Sequence, residues 1–239
     1  MSTTARSITG LVNDLSDEEL FELVESSNRP LIKKLMARFR ARRIRDTFVT
    51  PLEDGQVTEA LKACLSGWRA LATSLGYTGP VAWQVRKGFT LKAHASKAGP
   101  CYKNWDYLQT WGLRNDEPTK DSTVFWIPHL VEGSRSKSVQ DQLSLLWEVQ
   151  GKYSMPSAHL PSFGSAALLS GLILAHSKRT GDRVPLESLW ARTDTFRESG
   201  YRLTLGAFDA TGLLCDDWLW DDAGNGNLGV FPLGVELGV

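Results

Sequence analysis

The sequence predicts an α+β fold: a helical N-terminal region over residues 1–75, then a mixed module over residues 76–239 built on short antiparallel strands. Three observations carry this expectation. Apolar residues recur at helical spacing through the first 75 positions. After Gly76 the pattern changes to short alternating or fully apolar runs bounded by turn residues. Glycine crowds the tail, with 8 of the 21 Gly between Gly200 and Gly238, so tight turns there join short strands.

The elements follow in order. Ser16 and Glu19 form a capping box ahead of the stripe Leu20, Leu23 and Val24. Pro30 opens a second helix, where its missing N–H is harmless, and Leu31, Leu35, Met36 and Phe39 make its apolar side. Its other side is basic, with Arg29, Lys33, Lys34, Arg38, Arg40, Arg42, Arg43 and Arg45 giving eight positive charges in 17 residues. A third helix covers Gln56–Leu75, with Val57, Leu61, Leu65, Trp68, Leu71 and Ala72 on one side.

Val81–Val85 and Phe89–Ala93 read as two strands around a turn at Lys87-Gly88. Gly99–Lys120 is loop-like and rich in Trp and Tyr, Val124–Ile127 is a short buried strand, and Val139–Val149 is helical. Between Lys152 and Lys178 no residue is charged. The apolar run Phe163–Ala175 falls short of the ~20 residues a membrane span needs, so a buried helix is expected, capped by Ser162 and closed by Lys178, Arg179 and Gly181. The tail offers strands at Tyr201–Leu205, Gly212–Cys215, Trp218–Trp220 and Leu228–Phe231.

Charge narrows the function. The 27 basic and 27 acidic residues cancel, which argues against a uniformly charged nucleic-acid or membrane binder. The charges are nevertheless segregated: residues 1–100 hold 15 basic and 10 acidic side chains, residues 194–239 hold 2 and 8. The basic helix, through Arg38, Arg40, Arg42, Arg43 and Arg45, therefore offers an alternative function: a nucleic-acid-associated or regulatory protein, or a site for a partner protein, with the tail only a scaffold. The residues from Met1 to Gly10 have one Arg and no apolar core, so a cytoplasmic location is expected, with display on a virion or surface left open.

Chemistry-bearing motifs are sparse. Three widely spaced Cys make neither a disulfide framework nor a zinc site, and the four His lack zinc spacing. Cys215 has acidic neighbours that disfavour a thiolate, so a small buried hydrophobe is expected. Gly224–Gly229 is glycine-rich, but acids precede it and no helix follows, so it is no phosphate cradle. Asp216, Asp217, Asp221 and Asp222 are dense enough to raise calcium as a question, against turn capping or a solvated acidic face. The expectation is a non-enzymatic chain with no cofactor and no metal.

Arg192-Thr193-Asp194-Thr195, Gly200-Tyr201-Arg202-Leu203, Phe208-Asp209, Gly212-Leu213, Cys215, Trp218, Trp220-Asp221-Asp222, Asn227-Leu228-Gly229-Val230 and Leu233-Gly234-Val235-Glu236 give the tail a pattern. It resembles the C-type-lectin-fold variable proteins of diversity-generating retroelements, over roughly residues 155–239. The resemblance implies a C-type-lectin-like module in which error-prone copying rewrites a segment of about 192–236, and in which a fixed Trp, Gly and Asp framework carries a ligand-binding surface. The interleaved positions would face the ligand: Phe196, Arg197, Glu198, Tyr201, Thr204, Ala207, Phe208, Thr211, Leu214, Asp217, Trp218, Leu219, Ala223, Asn225 and Asn227. The implied partner is a protein or cell-surface ligand. The chain departs from that family in lacking its Gly-Gly-Ser-Trp element and its Gly-Phe-Arg ending.

Overall fold

A computed structural model of the chain describes residues 48–155, 162–218 and 224–237. The first two expected helices, with the basic residues Arg38 to Arg45, lie outside the described residues. From Phe48 onward the chain forms one compact α+β unit. The helix at Glu59–Ser74, which the sequence groups with the N-terminal region, therefore packs with the strands.

In chain order the unit contains β1 (Val49–Leu52), α1 (Glu59–Ser74), β2 (Ala82–Val85), α2 (Leu91–Ala98), a 3-10 segment (Tyr102–Thr110), β3 (Leu113–Arg114), β4 (Ser122–Trp126), α3 (Val139–Lys152), α4 (Ala166–Thr180), β5 (Trp190–Arg197), β6 (Arg202–Asp209), β7 (Gly212–Trp218), β8 (Leu228–Gly229) and β9 (Leu233–Leu237). They make two sheets. The first runs β1-β2-β4-β9 and is antiparallel throughout. The second runs β3-β5-β6-β7, antiparallel, with β8 added parallel to β5.

Side-chain alternation places the core. Trp83, Val85, Val124 and Trp126 of the first sheet share the central core with Ala191, Leu203, Leu205, Leu213 and Cys215 of the second. The opposite face of the first sheet, with Ala82 and Phe125, is covered by α1, where Trp68 stacks on Phe125 at 5.8 Å. The uncharged helix α4 is buried nearly all round, as its composition requires, and packs against α2, β1, β5 and β6. Gly171 lets β1 approach: a Cβ there would lie 3.0 Å from Val49 Cγ2.

Two expectations need correction. Phe89–Ala93 is not a strand. Phe89, Leu91 and Ala95 are buried, the last two spaced one helical turn apart, and the chain turns into α2 after an extended Thr90. The partners of β2 come instead from Val49–Leu52 and Ser122–Phe125, distant segments that no local pattern couples. The cap of α4 is Ser165, whose side chain accepts from the Leu168 N–H at 3.1 Å, and not Ser162. The delay arises because Phe163 enters the core and the Gly164 N–H donates to Asp194 Oδ2 at 2.9 Å.

The 3-10 segment docks on the outer edge of β7. Just after its start, Lys103, Asn104 and Trp105 all have left-handed backbones, at φ 46, 52 and 56°. This strained run aims Trp105 inward, where Nε1 donates to the Leu213 carbonyl at 2.7 Å. The Tyr107 hydroxyl donates to the Cys215 carbonyl at 2.6 Å and accepts from the Cys215 N–H at 3.3 Å. On the other side of the tail, fully buried Gln142 of α3 donates through Nε2 to the carbonyls of Ser134 and Leu228, at 2.7 and 3.2 Å.

Candidate ligand-binding surface

Strand pairing builds the site. Arg114 of β3 lies opposite Phe196 of β5, Phe196 opposite Arg202 of β6, and Arg202 opposite Trp218 of β7. Residues paired across strands share a face, so four strands present one row of alternating arginine and aromatic side chains. The Arg202 guanidinium lies 4.4 Å from the Phe196 ring centroid and 5.3 Å from that of Phe163. Arg114 covers Phe196 at 6.0 Å. Each such contact contributes about 0.5–2 kcal/mol, more where water is excluded. Arg202 is nine-tenths buried, and its Nη1 donates to the Thr193 carbonyl at 2.7 Å and to Asp194.

The opposite face carries a second cluster. Arg197 donates to Asp217 Oδ2 and lies over Trp111, 4.3 Å from its ring centroid. The hairpin between β5 and β6 is tight: the Gly200 N–H bonds the Arg197 carbonyl, and Gly200 holds φ 95°. The Glu198 N–H donates to the Gly112 carbonyl, and a side chain at 112 would collide with the Glu198 carboxylate.

Six of the interleaved positions thus gather at one end of the second sheet: Phe196, Arg197, Glu198, Tyr201, Asp217 and Trp218. All are at least partly exposed, and Glu198 lies in the open. Others lie elsewhere. Ala207 lies in the bulge of β6 and Thr211 in the turn that follows, where both the Thr211 N–H and its hydroxyl bond Asp209 Oδ1. Leu214 is mid-strand, on the face of Gly206. Asn225 and Asn227 form the turn before β8, with the Asn227 N–H bonding Asn225 Oδ1 and the Trp190 N–H bonding the Asn227 carbonyl. Leu219 and Ala223 lie outside the described residues.

Thr204 and Phe208 require correction. Both are 1% exposed, so neither reaches a ligand. Pairing with Arg192 and Asp216 puts Thr204 in the covered middle of the sheet. A shift in register after Gly206 turns Phe208 into the central core. Sequence reasoning missed Trp111 and Arg114. The aromatic richness of Gly99–Lys120 was visible, but nothing local couples it to strands eighty residues later.

The chemistry of the remaining groups is quiet. Asp216 and Asp217 pair with Thr204 and Leu203 and so point to opposite faces, which prevents them from sharing a cation. Asp221 and Asp222 lie outside the described residues, among which no three His, Cys, Asp or Glu side chains are placed to hold a metal. Cys64, Cys101 and Cys215 are buried free thiols. Burial pushes the Cys101 thiol up to about 12. Burial, then the neighbouring Asp216, raises that of Cys215 well above the ordinary 9.0. Cys215 is an inert hydrophobe, as its neighbours foretold.

No protein-family model, curated protein or solved structure matches this chain. Among the described residues, no helix is long and apolar enough to cross a membrane.

Proposed function

We propose that this chain is a non-enzymatic ligand-binding protein that engages a protein or cell-surface partner through the β5–β6 hairpin end and the close of β7. The observation that carries the reading is the Arg114–Phe196–Arg202–Trp218 row, locked at its centre and open at its rim. Arginine and large aromatic residues are the side chains enriched at recognition hot spots, because they bring wide contact at small entropic cost. Here they sit on paired strands, so their positions are set before a partner arrives. Arg197 and Asp217 are bound to each other, and Arg114, Arg197 and Arg202 lie over rings, an arrangement suited to recognition and not to proton transfer.

The resemblance to retroelement variable proteins supports an extension: the surface is rewritten between copies of the gene. Exposed Glu198, Thr211 and Asn227 alternate with buried Gly206, Leu213 and Gly229, so exchange at the first set leaves the second in place. A near-copy of the codons for 192–236 beside a reverse transcriptase, differing only at template adenines, is the expected genomic mark. Its absence removes the diversification and leaves the binding surface.

Photo-crosslinking tests the surface itself. A photoreactive residue at Glu198 or Tyr201 is expected to capture a macromolecular partner in cells, while one at Lys62, exposed on α1, captures none. Equal capture from both places, or none from the hairpin, overturns the reading.

A further inference from the structure

A covalent modification site lies in the turn that leads into β8. Asn225 is the only one of the chain's six asparagines that precedes a glycine, Gly226. An asparagine side chain cyclises onto the next backbone nitrogen most easily there, because glycine has no Cβ to crowd the attack. Gly226 is exposed, and its N–H donates to no acceptor among the described residues, so hydroxide can reach that proton.

The turn brings the reacting groups together. Asn225 Oδ1 accepts from the Asn227 N–H at 2.8 Å, which folds the side chain back over the Gly226 peptide. That N–H points at the oxygen that becomes negative once the nitrogen attacks Cγ. The Asn225 carbonyl is a latch. It accepts from the Ser136 N–H at 2.9 Å and from the Leu228 N–H at 3.1 Å, tying the segment before α3 to the start of β8. The Asn227 carbonyl accepts from the Trp190 N–H at 2.8 Å and ties the same turn to β5.

We propose that Asn225 deamidates spontaneously and that the isoaspartyl product unlatches this turn. Hydroxide removes the Gly226 N–H proton, and the nitrogen's electron pair forms a bond to Asn225 Cγ. The tetrahedral intermediate collapses with loss of Nδ2, which takes a proton from water and leaves as ammonia. Water then opens the cyclic imide at either carbonyl, giving an aspartyl or an isoaspartyl link at position 225, with no change of oxidation state. The isoaspartyl form routes the chain through the side chain, one carbon longer, and leaves a free carboxylate where the latching carbonyl stood. A turn whose length sets the pairing of Trp190 with Leu228 does not absorb that carbon. None of this depends on the hairpin surface.

The test is to incubate the full chain at pH 6 and pH 8.5 and map it by peptide mass spectrometry. Isoaspartate is counted with an isoaspartyl methyltransferase and labelled S-adenosylmethionine. Modification is expected to concentrate at position 225, to run faster at pH 8.5, and to raise amide hydrogen exchange at Ser136 and Trp190. Gly226 lies outside the left-handed region, and a Cβ there meets only Ser136 Oγ, at 3.8 Å, so Gly226→Ala is expected to fold normally. It is expected to slow the reaction at least about 10-fold by crowding the nitrogen. Freshly prepared Asn225→Asp adds the charge without the extra carbon and is expected to leave exchange at Ser136 and Trp190 unchanged. Four results each overturn the proposal: an intact amide at position 225 in the folded chain while the urea-unfolded chain deamidates, an equal rate in Gly226→Ala, unchanged exchange in the modified protein, or equal loosening in Asn225→Asp.

Discussion

Tyr107 satisfies both backbone groups of Cys215 through one oxygen. Tyr107→Phe keeps the ring and strands a carbonyl and an N–H beside the core, so a loss of about 1–3 kcal/mol is expected in urea unfolding. Two other residues make stability depend on pH, in opposite directions. His176 is 7% exposed, its Nδ1 has no hydrogen-bond partner among the described residues, and Trp83, Trp126 and Tyr77 ring it at 6.1–6.5 Å. Burial holds its pKa below the ordinary 6.5, with His129 adding to the shift and Asp182 opposing it. The unfolded chain therefore binds the proton first, and stability falls as pH drops below 6.5. Asp116 is the reverse: burial lifts its carboxyl from 3.8 to about 6 against the pull of Lys92. Its contribution is fullest below 3.8 and is lost as pH rises through about 6. Unfolding measured at pH 4.5, 6 and 7.5 separates them: His176→Phe is expected to flatten the acid side, and Asp116→Asn to raise stability at pH 7.5 far more than at 4.5. The inertness of Cys215 was legible from its acidic neighbours, although burial is the larger cause. The burial of Thr204 and Phe208 was not, because it depends on what covers the sheet and on a register shift that sequence spacing hides.

Among the elements, the β6 bulge is tightly constrained. Ala207 holds φ 43° while its N–H bonds the Leu189 carbonyl, and a Cβ on Gly206 would lie 2.2 Å from that same carbonyl oxygen. Ala207→Gly is expected to be neutral or to stabilise by up to about 1 kcal/mol, whereas Ala207→Val destabilises by about 1–3 kcal/mol, both read from thermal unfolding. This position therefore tolerates few side chains. Helices were the more legible elements. α1, α3 and α4 follow from apolar spacing and composition, and the closing Gly181 adopts the left-handed cap its place predicts, at φ 76°. The α2 segment was obscured because five residues fit a strand and a helix equally well, and only burial of Leu91 with Ala95 decides.

For the whole molecule, the two sheets close on a shared core, and closure depends on β9. That strand pairs with β4 over Ser122–Trp126, and Gly234 lies so close to α1 that a Cβ would meet Trp68 Cζ2 at 3.0 Å. Gly234→Val is therefore expected to press α1 off the sheet and cost about 1–3 kcal/mol, with a loss of Trp68–Phe125 stacking visible in near-ultraviolet circular dichroism. The α+β class was legible from the change of periodicity after Gly76, whereas the division into two sheets was not, since each sheet joins strands from both halves of the chain. One contact has a wider reach. With Trp105 and Tyr107 seated on the outer edge of β7, its backbone is closed to strands of other molecules. Until that left-handed segment docks, β7 is an open template, and a chain that folds slowly at this step is exposed to edge-to-edge association. The strained turn thus guards against association, and variants that loosen it are expected to show first as lost yield of soluble protein, before any change in the fold of what remains.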